Sequence, residues 1–206
     1  DVIKVASVRQ RWLEPGYGYN RIAQFQSATG KDVTGALEKL MNKQKLKGLV
    51  LDLRNNPGGV LRASVDVAGL FMDGGKVVYT EGRLPNSDME FNAQPEDATA
   101  GIPIVVLINS GSASASEIVA GALQDHGRAV IMGTRSFGKG SVQTVLPISD
   151  SRAVKLTTAL YFTPNGRSIQ AEGIEPDIEV ERAKVTAYDN SRRVTEADLT
   201  GHLNNA

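Results

Sequence analysis

The sequence predicts a mixed α/β fold, with parallel βαβ units at the centre of a mixed sheet and helices packed on it. Two apolar runs, at residues 48–53 and 104–108, are rich in β-branched residues or leucine and are typical of buried strands. Each run ends in a loop of small, turn-forming residues. A helical pattern follows each loop, at residues 61–71 and 114–125. Strands that alternate with helices in this way form parallel sheets covered by helices.

The N-terminal part of the chain predicts two further strands and one helix. Alternating apolar and polar residues predict strands at residues 3–8 and 19–25. The polar, proline-containing segment 9–18 between them predicts a turn. An apolar face with helical spacing predicts an amphipathic helix at residues 30–44.

The remaining segments are short strands separated by polar breaks. Residues 81–101 predict a surface excursion with one short strand at 90–92. Further strands or extended segments are predicted at 76–80, 129–132, 142–148, 153–162 and 173–180. The segments 142–148 and 153–162 form a hairpin candidate. Residues 182–206 predict a charged linker and a C-terminal helix at 195–199.

Composition argues against several classes of protein. Lysine plus arginine and aspartate plus glutamate number 23 each, and this zero net charge argues against nucleic acid or an acidic membrane as main partner. The absence of cysteine excludes disulfides, thiolate metal sites and a cysteine nucleophile. No apolar run is long enough for a membrane span, and we expect no cofactor or metal. Because Asp1 is not an initiator methionine, we expect a mature or excised fragment.

The small residues after strand 104–108 include three candidate nucleophiles, Ser112, Ser114 and Ser116. A strand that turns sharply into a helix can present a side chain beside free backbone N–H groups and the positive end of the helix dipole. A serine there could attack a carbonyl with an oxyanion site next to it. The alternative is that a serine simply caps the helix.

Lys139 is the candidate base for such a serine. Lysine acts as a base only when neutral, which requires burial to lower its pKa from about 10.4. His126 lies three turns along the same predicted helix as Ser114 and cannot reach it, while His202 is near the chain end. Gln143 could orient the lysine amine. The alternatives are a solvated loop lysine and an outward-facing strand glutamine.

Backbone N–H groups for an oxyanion could come from Gly58 or Gly59, together with Ala115. The alternative for the two glycines is an ordinary turn.

Residues 133–139 also fit the start of a phosphate-binding P-loop, which would indicate a nucleotide-binding protein. However, Gly140 occupies the position where serine or threonine must bind magnesium. A strand pattern follows where a helix should begin.

Three blocks of sequence together resemble the carboxyl-terminal processing (tail-specific) proteases. They are Asn-Ser-Gly-Ser-Ala-Ser-Ala-Ser-Glu-Ile at 109–118, Phe-Gly-Lys-Gly-Ser-Val-Gln at 137–143, and Leu-Asp-Leu-Arg-Asn-Asn-Pro-Gly-Gly at 51–59. The resemblance implies a serine endopeptidase with a Ser–Lys dyad on a crotonase/Clp-protease-like core. It covers about residues 1–181, which is nearly the whole chain.

By this resemblance, the family's nucleophile falls on Ser114, its general base on Lys139 and its lysine-orienting residue on Gln143. The oxyanion hole falls on the N–H of Ala115 and of one glycine of the loop, Gly59 in preference to Gly58.

The resemblance also implies features of the wider protein. The family carries a PDZ domain that we do not find in this sequence, so residues 1–181 are expected to be a catalytic core whose PDZ domain would lie near its N-terminal start. We expect protein or peptide substrates that are unfolded or have exposed tails, a homo-oligomer, an adaptor protein, and a bacterial periplasm or cell envelope. A catalytically silent core that serves as a binding or scaffold module stays open as an alternative.

Overall fold

A computed structural model of the chain describes residues 6–83, 88–181 and 200–201. The described part contains ten strands and three helices. The strands are β1 (Val8–Glu14), β2 (Tyr17–Ile22), β3 (Gly48–Asp52), β4 (Gly75–Gly82), β5 (Met89–Ala93), β6 (Ile104–Ile108), β7 (Val130–Gly133), β8 (Ser141–Ser149), β9 (Arg152–Phe162) and β10 (Ile178–Glu179). The helices are α1 (Thr29–Met41), α2 (Leu61–Gly69) and α3 (Ala115–Asp125).

The larger sheet is mixed, with parallel strands at its centre, as the sequence predicts. Its order is β1-β2-β3-β6-β7-β10. Only β1 and β2 pair antiparallel, whereas every later neighbour pairs parallel. Each parallel step from β2 to β3 to β6 to β7 passes through one of the three helices. These are the expected βαβ units.

A second sheet, which the sequence analysis did not separate from the first, is wholly antiparallel with the order β5-β4-β9-β8. Helix α2 contacts both β4 and β5, and α3 contacts β4. The outer part of the β8–β9 hairpin extends beyond this packing. Residues 145–158 are exposed throughout, including the large apolar side chains of Val145, Leu146 and Ile148.

The predicted turn over residues 9–18 is wrong, because β1 occupies most of that segment. The actual turn is a tight one at Pro15 and Gly16, where Gly16 has a φ of +91° that favours glycine. The strand is an edge strand with half its residues exposed, so it carries charged side chains that resemble a loop in sequence. Of the predicted strand 3–8, residues 3–5 lie outside the described part.

The other elements agree with prediction to within a few residues at their ends. Helix α1 ends at Met41 rather than at residue 44, and β5 forms where the short strand at 90–92 was expected. Of the extended segment 173–180, only β10 pairs with the sheet. The predicted linker and the helix at 195–199 lie outside the described residues.

The core lies between the central strands and the helices. Leu51 of β3, Val106 of β6 and Val119 and Leu123 of α3 are all completely buried. The two apolar runs therefore form strands with side chains buried in this core.

We expect Leu51→Ala to lower the free energy of unfolding by about 2–5 kcal/mol, because it leaves a cavity in a packed interior. Leu13→Ala is the matched control, since Leu13 is 47% exposed on β1. Its effect should stay within about 0.5 kcal/mol. Urea denaturation measures both. Equal losses in the two variants would contradict this account of the core.

Candidate active site

The loops that follow β3 and β6 meet at one edge of the larger sheet. The two strands are parallel neighbours, so their carboxyl ends emerge side by side. The N–H of Ala113 donates to the carbonyl of Asn56 at 3.0 Å and joins the loops. At Gly58, with a φ of +97°, an added Cβ would lie 2.6 Å from the Ala113 carbonyl oxygen. Only glycine permits this approach.

The three candidate serines have different surroundings. Ser112 and Ser116 are completely buried, and their hydroxyls donate to the backbone carbonyls of Leu53 at 2.8 Å and Asn56 at 3.0 Å. Both therefore hold the two loops together. Ser114 is partly exposed and lies immediately before α3. Of the three, Ser114 is the one whose side chain is open to a substrate.

The backbone of Ser114 is strained. Its φ of 55° and ψ of −111° fall outside the regions that residues with a side chain normally occupy. Such conformations cost about 1–3 kcal/mol and concentrate at functional sites. A serine on a strained turn between a strand and a helix is the arrangement that exposes the nucleophile in α/β-hydrolases.

The loop that contains Lys139 passes over the start of α3. The N–H of Phe137 donates to the Ser112 carbonyl at 2.9 Å, which joins this loop to the serine loop. Gly138 has a φ of +86°, and at Gly140 an added Cβ would lie 2.3 Å from the Gln170 nitrogen. The glycines on both sides of Lys139 thus allow tight packing, and Lys139 itself is partly buried.

Glu117 is the residue of the site that the sequence analysis missed. Its side chain is completely buried, and one carboxylate oxygen, Oε2, accepts the N–H of Ser114 at 2.6 Å and that of Lys139 at 2.9 Å. The backbone nitrogens of Ser114 and Lys139 therefore both lie within hydrogen-bonding distance of the same oxygen atom. The Ser-x-x-Glu spacing at 114–117 is the signal of a helix capping box that could have indicated it.

The candidate oxyanion donors also differ from one another. The N–H of Gly58 donates to the Asn56 side-chain oxygen at 3.0 Å. Within residues 6–83 and 88–181, the N–H groups of Gly59 and Ala115 have no hydrogen-bond partner. Two N–H groups on adjoining loops are thus free to bind an incoming oxygen atom.

Within the described residues, the side chains of Gln143 and His126 make no hydrogen bond to this cluster. Gln143 is exposed on β8 next to a bulge, and no hydrogen bond among the described residues joins it to Lys139. None joins the Ser114 hydroxyl to the Lys139 amine either. His126 lies at the C-terminal end of α3 with its Nε2 2.7 Å from the Lys76 carbonyl oxygen, and His202 is outside the described residues.

The segment 133–139 lacks the geometry of a P-loop. It leads into strand β8, whereas a P-loop leads into a helix whose N-terminus binds the phosphate. In the described ranges, no group of three or more histidine, cysteine, aspartate or glutamate residues could hold a metal ion. No helix in the same ranges is both long and apolar enough to span a membrane.

A second buried carboxylate, Asp52, fixes the start of the loop after β3. It accepts hydrogen bonds from the Tyr19 hydroxyl at 2.6 Å and from Arg54, through the backbone N–H at 2.9 Å and Nη2 at 2.7 Å. Burial alone would raise the pKa of Asp52, but the hydrogen bonds from Arg54 and Tyr19 and the charge of Arg54 outweigh it. The pKa therefore lies below its ordinary value of 3.8.

The chain belongs to Peptidase family S41, and the match to this family covers residues 16–180. It is 51% identical over 209 residues to a carboxy-terminal-processing protease of Bartonella bacilliformis, covering 98% of this chain and 48% of that protein. A carboxyl-terminal-processing protease of Synechocystis is 44% identical, over 82% of this chain and 39% of that protein. The family resemblance inferred from the three sequence blocks is thus confirmed.

A solved structure gives the same result for the fold. A photosystem II D1 C-terminal processing protease matches with a TM-score of 0.77 at 37% identity, covering 87% of this chain and 49% of that one. The chain spans about half, or less, of the length of the relatives that it matches.

We expect Asp52→Asn to lower the free energy of unfolding at neutral pH by about 1–3 kcal/mol, because it removes a charged acceptor from buried hydrogen bonds. Since the pKa of Asp52 is lowered in the folded state, its contribution is complete above the ordinary value of 3.8 and is lost as the pH falls through the folded value. The difference between wild type and variant should therefore shrink as the pH falls below 3.8.

Asp66→Asn is the control for this measurement, because Asp66 forms a surface pair with Arg62 and its side chain is 43% exposed. Its effect should be under about 1 kcal/mol. Urea denaturation over a series of pH values tests both variants. A difference for Asp52→Asn that does not change with pH would contradict the assignment.

Proposed function

We propose that this chain is the core of a serine endopeptidase in which Ser114 is the nucleophile and Lys139 the general base. The observation that carries the proposal is the strained Ser114 at the start of α3, whose N–H shares one carboxylate oxygen of Glu117 with the N–H of Lys139. The match to Peptidase family S41 supports the same chemistry.

The surroundings of the serines support Ser114 in particular. Ser112 and Ser116 use their hydroxyls to bind backbone carbonyls in the interior, and a substrate has no access to them. A hydroxyl on a strained turn between a strand and a helix projects toward solvent.

Lys139 is the base that the site offers. His126 is exposed at the opposite end of α3, and a helix of 11 residues is about 16 Å long. Lys139 is partly buried, and its backbone is fixed by the bond to Glu117 and by the glycines beside it. In its neutral form, the amine can accept the proton of the serine hydroxyl.

The oxyanion hole in this proposal consists of the N–H groups of Gly59 and Ala115. Gly59 is preferred to Gly58 because the Gly58 N–H already donates to Asn56. Gly58 contributes differently, since its missing side chain lets the two loops approach. Two backbone donors aimed at the developing oxyanion lower the barrier to acyl transfer.

The reaction follows the chemistry of acyl transfer. Lys139 Nζ accepts the proton of Ser114 Oγ as Oγ bonds to the carbonyl carbon, and the carbonyl electron pair moves to the oxygen facing Gly59 and Ala115. The intermediate collapses, the C–N bond breaks, and the leaving amine takes the proton from Lys139. A water molecule then loses a proton to Lys139 and attacks the ester carbonyl. The C–Oγ bond breaks, the carboxylic acid leaves, and Lys139 returns the proton to Ser114 Oγ.

The role of Gln143 as an acceptor that orients the Lys139 amine stays a prediction. Hydrogen bonds of an active site are often long or absent without substrate and form only in the complex. A peptide bound along β8 would lie beside Gln143 and could exclude water from it.

For the whole protein, we propose substrates that are unfolded or have exposed tails and are cleaved near their carboxyl ends. This follows the names of the relatives, which are carboxy-terminal-processing proteases. A homo-oligomer, an adaptor protein and a location in the bacterial periplasm or cell envelope belong to the same proposal.

One observation favours a second candidate, a catalytically silent core that binds polypeptides. In the described residues, neither the Ser114 hydroxyl nor the Gln143 side chain is hydrogen-bonded to the Lys139 amine, so these side chains are not in direct contact through a hydrogen bond. A fluorophosphonate probe separates the two candidates. Labelling of Ser114 supports the protease, and binding of unfolded polypeptide without labelling supports the silent core.

We expect Ser114→Ala and Lys139→Ala each to lower kcat for cleavage of an unfolded protein by about three orders of magnitude or more, because each removes a group that makes or breaks bonds. The thermal midpoint should stay close to that of the wild type. Release of fluorescent peptides from a labelled, denatured protein measures the rate.

Ser110→Ala and Lys43→Ala are the matched controls. Both residues are exposed, and Ser110 lies in the same loop as Ser114. These controls should cleave at the wild-type rate. Wild-type activity in either Ser114→Ala or Lys139→Ala would overturn the proposed mechanism.

A further inference from the structure

Glu117 carries a buried charge for which the proposed reaction has no direct use. Its side chain is completely enclosed, and none of the salt bridges between described residues includes it. Transfer of a carboxylate into the interior costs several kcal/mol unless hydrogen bonds replace its water. Burial of the Glu117 carboxylate at the junction of the serine and lysine loops would therefore destabilise the fold without the hydrogen bonds that it accepts there.

We propose that Glu117 is a positioning residue, whose carboxylate sets the backbone of Ser114 and that of Lys139 relative to each other. This inference rests on the proposed function, in which these two residues react together. Four donors converge on the carboxylate. Oε2 accepts the N–H groups of Ser114 at 2.6 Å and Lys139 at 2.9 Å. Oε1 accepts the Ser136 hydroxyl and the Gly138 N–H, both at 2.6 Å.

The bond to Ser114 acts on a strained residue. At a φ of 55° and ψ of −111°, the serine backbone would relax toward negative φ if nothing held it. The 2.6 Å bond from the Ser114 N–H to Glu117 opposes that relaxation. It also occupies the Ser114 N–H, which leaves Ala115 as the first free donor of the helix N-terminus.

The bonds to the lysine loop act across a long stretch of chain. Gly138 and Lys139 place consecutive N–H groups on the two oxygens of the carboxylate. Ser136, which donates to Oε1, also accepts the N–H of Ile174 at 2.7 Å, so this loop is tied to a third segment. The carboxylate therefore connects Ser114 to a loop that is itself hydrogen-bonded to Ile174.

The site requires a carboxylate and not merely a side chain of the same shape. Each oxygen faces at least one backbone N–H, from Gly138 at Oε1 and from Ser114 and Lys139 at Oε2. In Glu117→Gln, the amide NH₂ must point at one of these donors in either orientation. The helix N-terminus also favours a negative charge at this position.

The first test is kinetic and compares Glu117→Gln with Ser136→Ala in the full chain. We expect Glu117→Gln to keep its fold but lower kcat about a hundredfold with KM nearly unchanged, because a displacement of about 1 Å between reacting groups has an effect of that size. Ser136→Ala removes one donor at Oε1 and leaves both bonds at Oε2, so its loss should be less than about tenfold. Wild-type kcat in Glu117→Gln would overturn the proposal.

Glu117→Asp covers the case in which the glutamine variant does not fold. It keeps the charge but withdraws the carboxylate by one methylene, so it cannot reach all four donors. We expect a lower kcat at wild-type KM, with circular dichroism unchanged. Full activity in this variant would contradict the need for the observed contacts.

The second test measures backbone strain and does not depend on protease activity. Ser114→Gly and Ser114→Ala both remove the hydroxyl, and only glycine tolerates the observed φ without strain. In the wild-type background, the Ser114→Gly variant should melt about 2–4 °C above the Ser114→Ala variant. In the Glu117→Gln background, this gap should narrow, because the released backbone has relaxed.

The two tests separate the failure of each idea. If the difference in melting temperature between Ser114→Gly and Ser114→Ala is the same in both backgrounds, Glu117 does not hold the strained conformation, and the positioning role is overturned. A narrowed difference in a chain that neither cleaves polypeptide nor accepts a serine probe would reject the proposed function alone.

Discussion

Parallel pairing of β3 with β6 is the constraint on which the site depends. The register runs from Leu49 opposite Ile104 to Asp52 opposite Leu107, so the two strands end together. The loops that follow have to leave the sheet side by side, where hydrogen bonds from Ala113, Ser112 and Ser116 join them. Any slip of this register would separate the candidate nucleophile from its candidate oxyanion donors.

Two buried carboxylates, Asp52 and Glu117, fix the positions of the loops at this edge of the sheet, and each is stabilised in a different way. Asp52 lies beneath partly exposed arginines, Arg21 and Arg54, that supply opposite charge. Glu117 is surrounded by neutral N–H and O–H donors at a helix N-terminus. Charges held by directional bonds define loop positions more narrowly than apolar packing does, because a hydrogen bond weakens steeply when its angle changes.

Local patterns made much of this predictable from the sequence. The continuous apolar runs at β3 and β6 and the helical patterns after them are local signals, so the fold class followed directly. The three sequence blocks led to Ser114 and Lys139, which the structure brings together. The edge strand β1 could not be predicted in this way, because a half-exposed strand with charged residues has the composition of a loop.

The role of Glu117 could not be predicted from the sequence, for a different reason. Its spacing from Ser114 indicates a helix cap, but the donors from Ser136, Gly138 and Lys139 arrive from a loop whose path depends on the whole sheet. Contacts between segments far apart in sequence leave no periodic signal. For the same reason, the division of the strands into two sheets was not predicted.

The exposed outer half of the β8–β9 hairpin has a consequence for how the molecule opens. A two-stranded ribbon without a covering layer is marginal in water, so this arm should exchange its amide hydrogens long before β3 or β6 does. The opening has a natural boundary at Gly140, whose carbonyl accepts the Tyr161 N–H at 2.6 Å and whose N–H reaches the Gln170 side chain. Fraying of the arm can therefore proceed to the edge of the lysine loop while the loop itself stays closed.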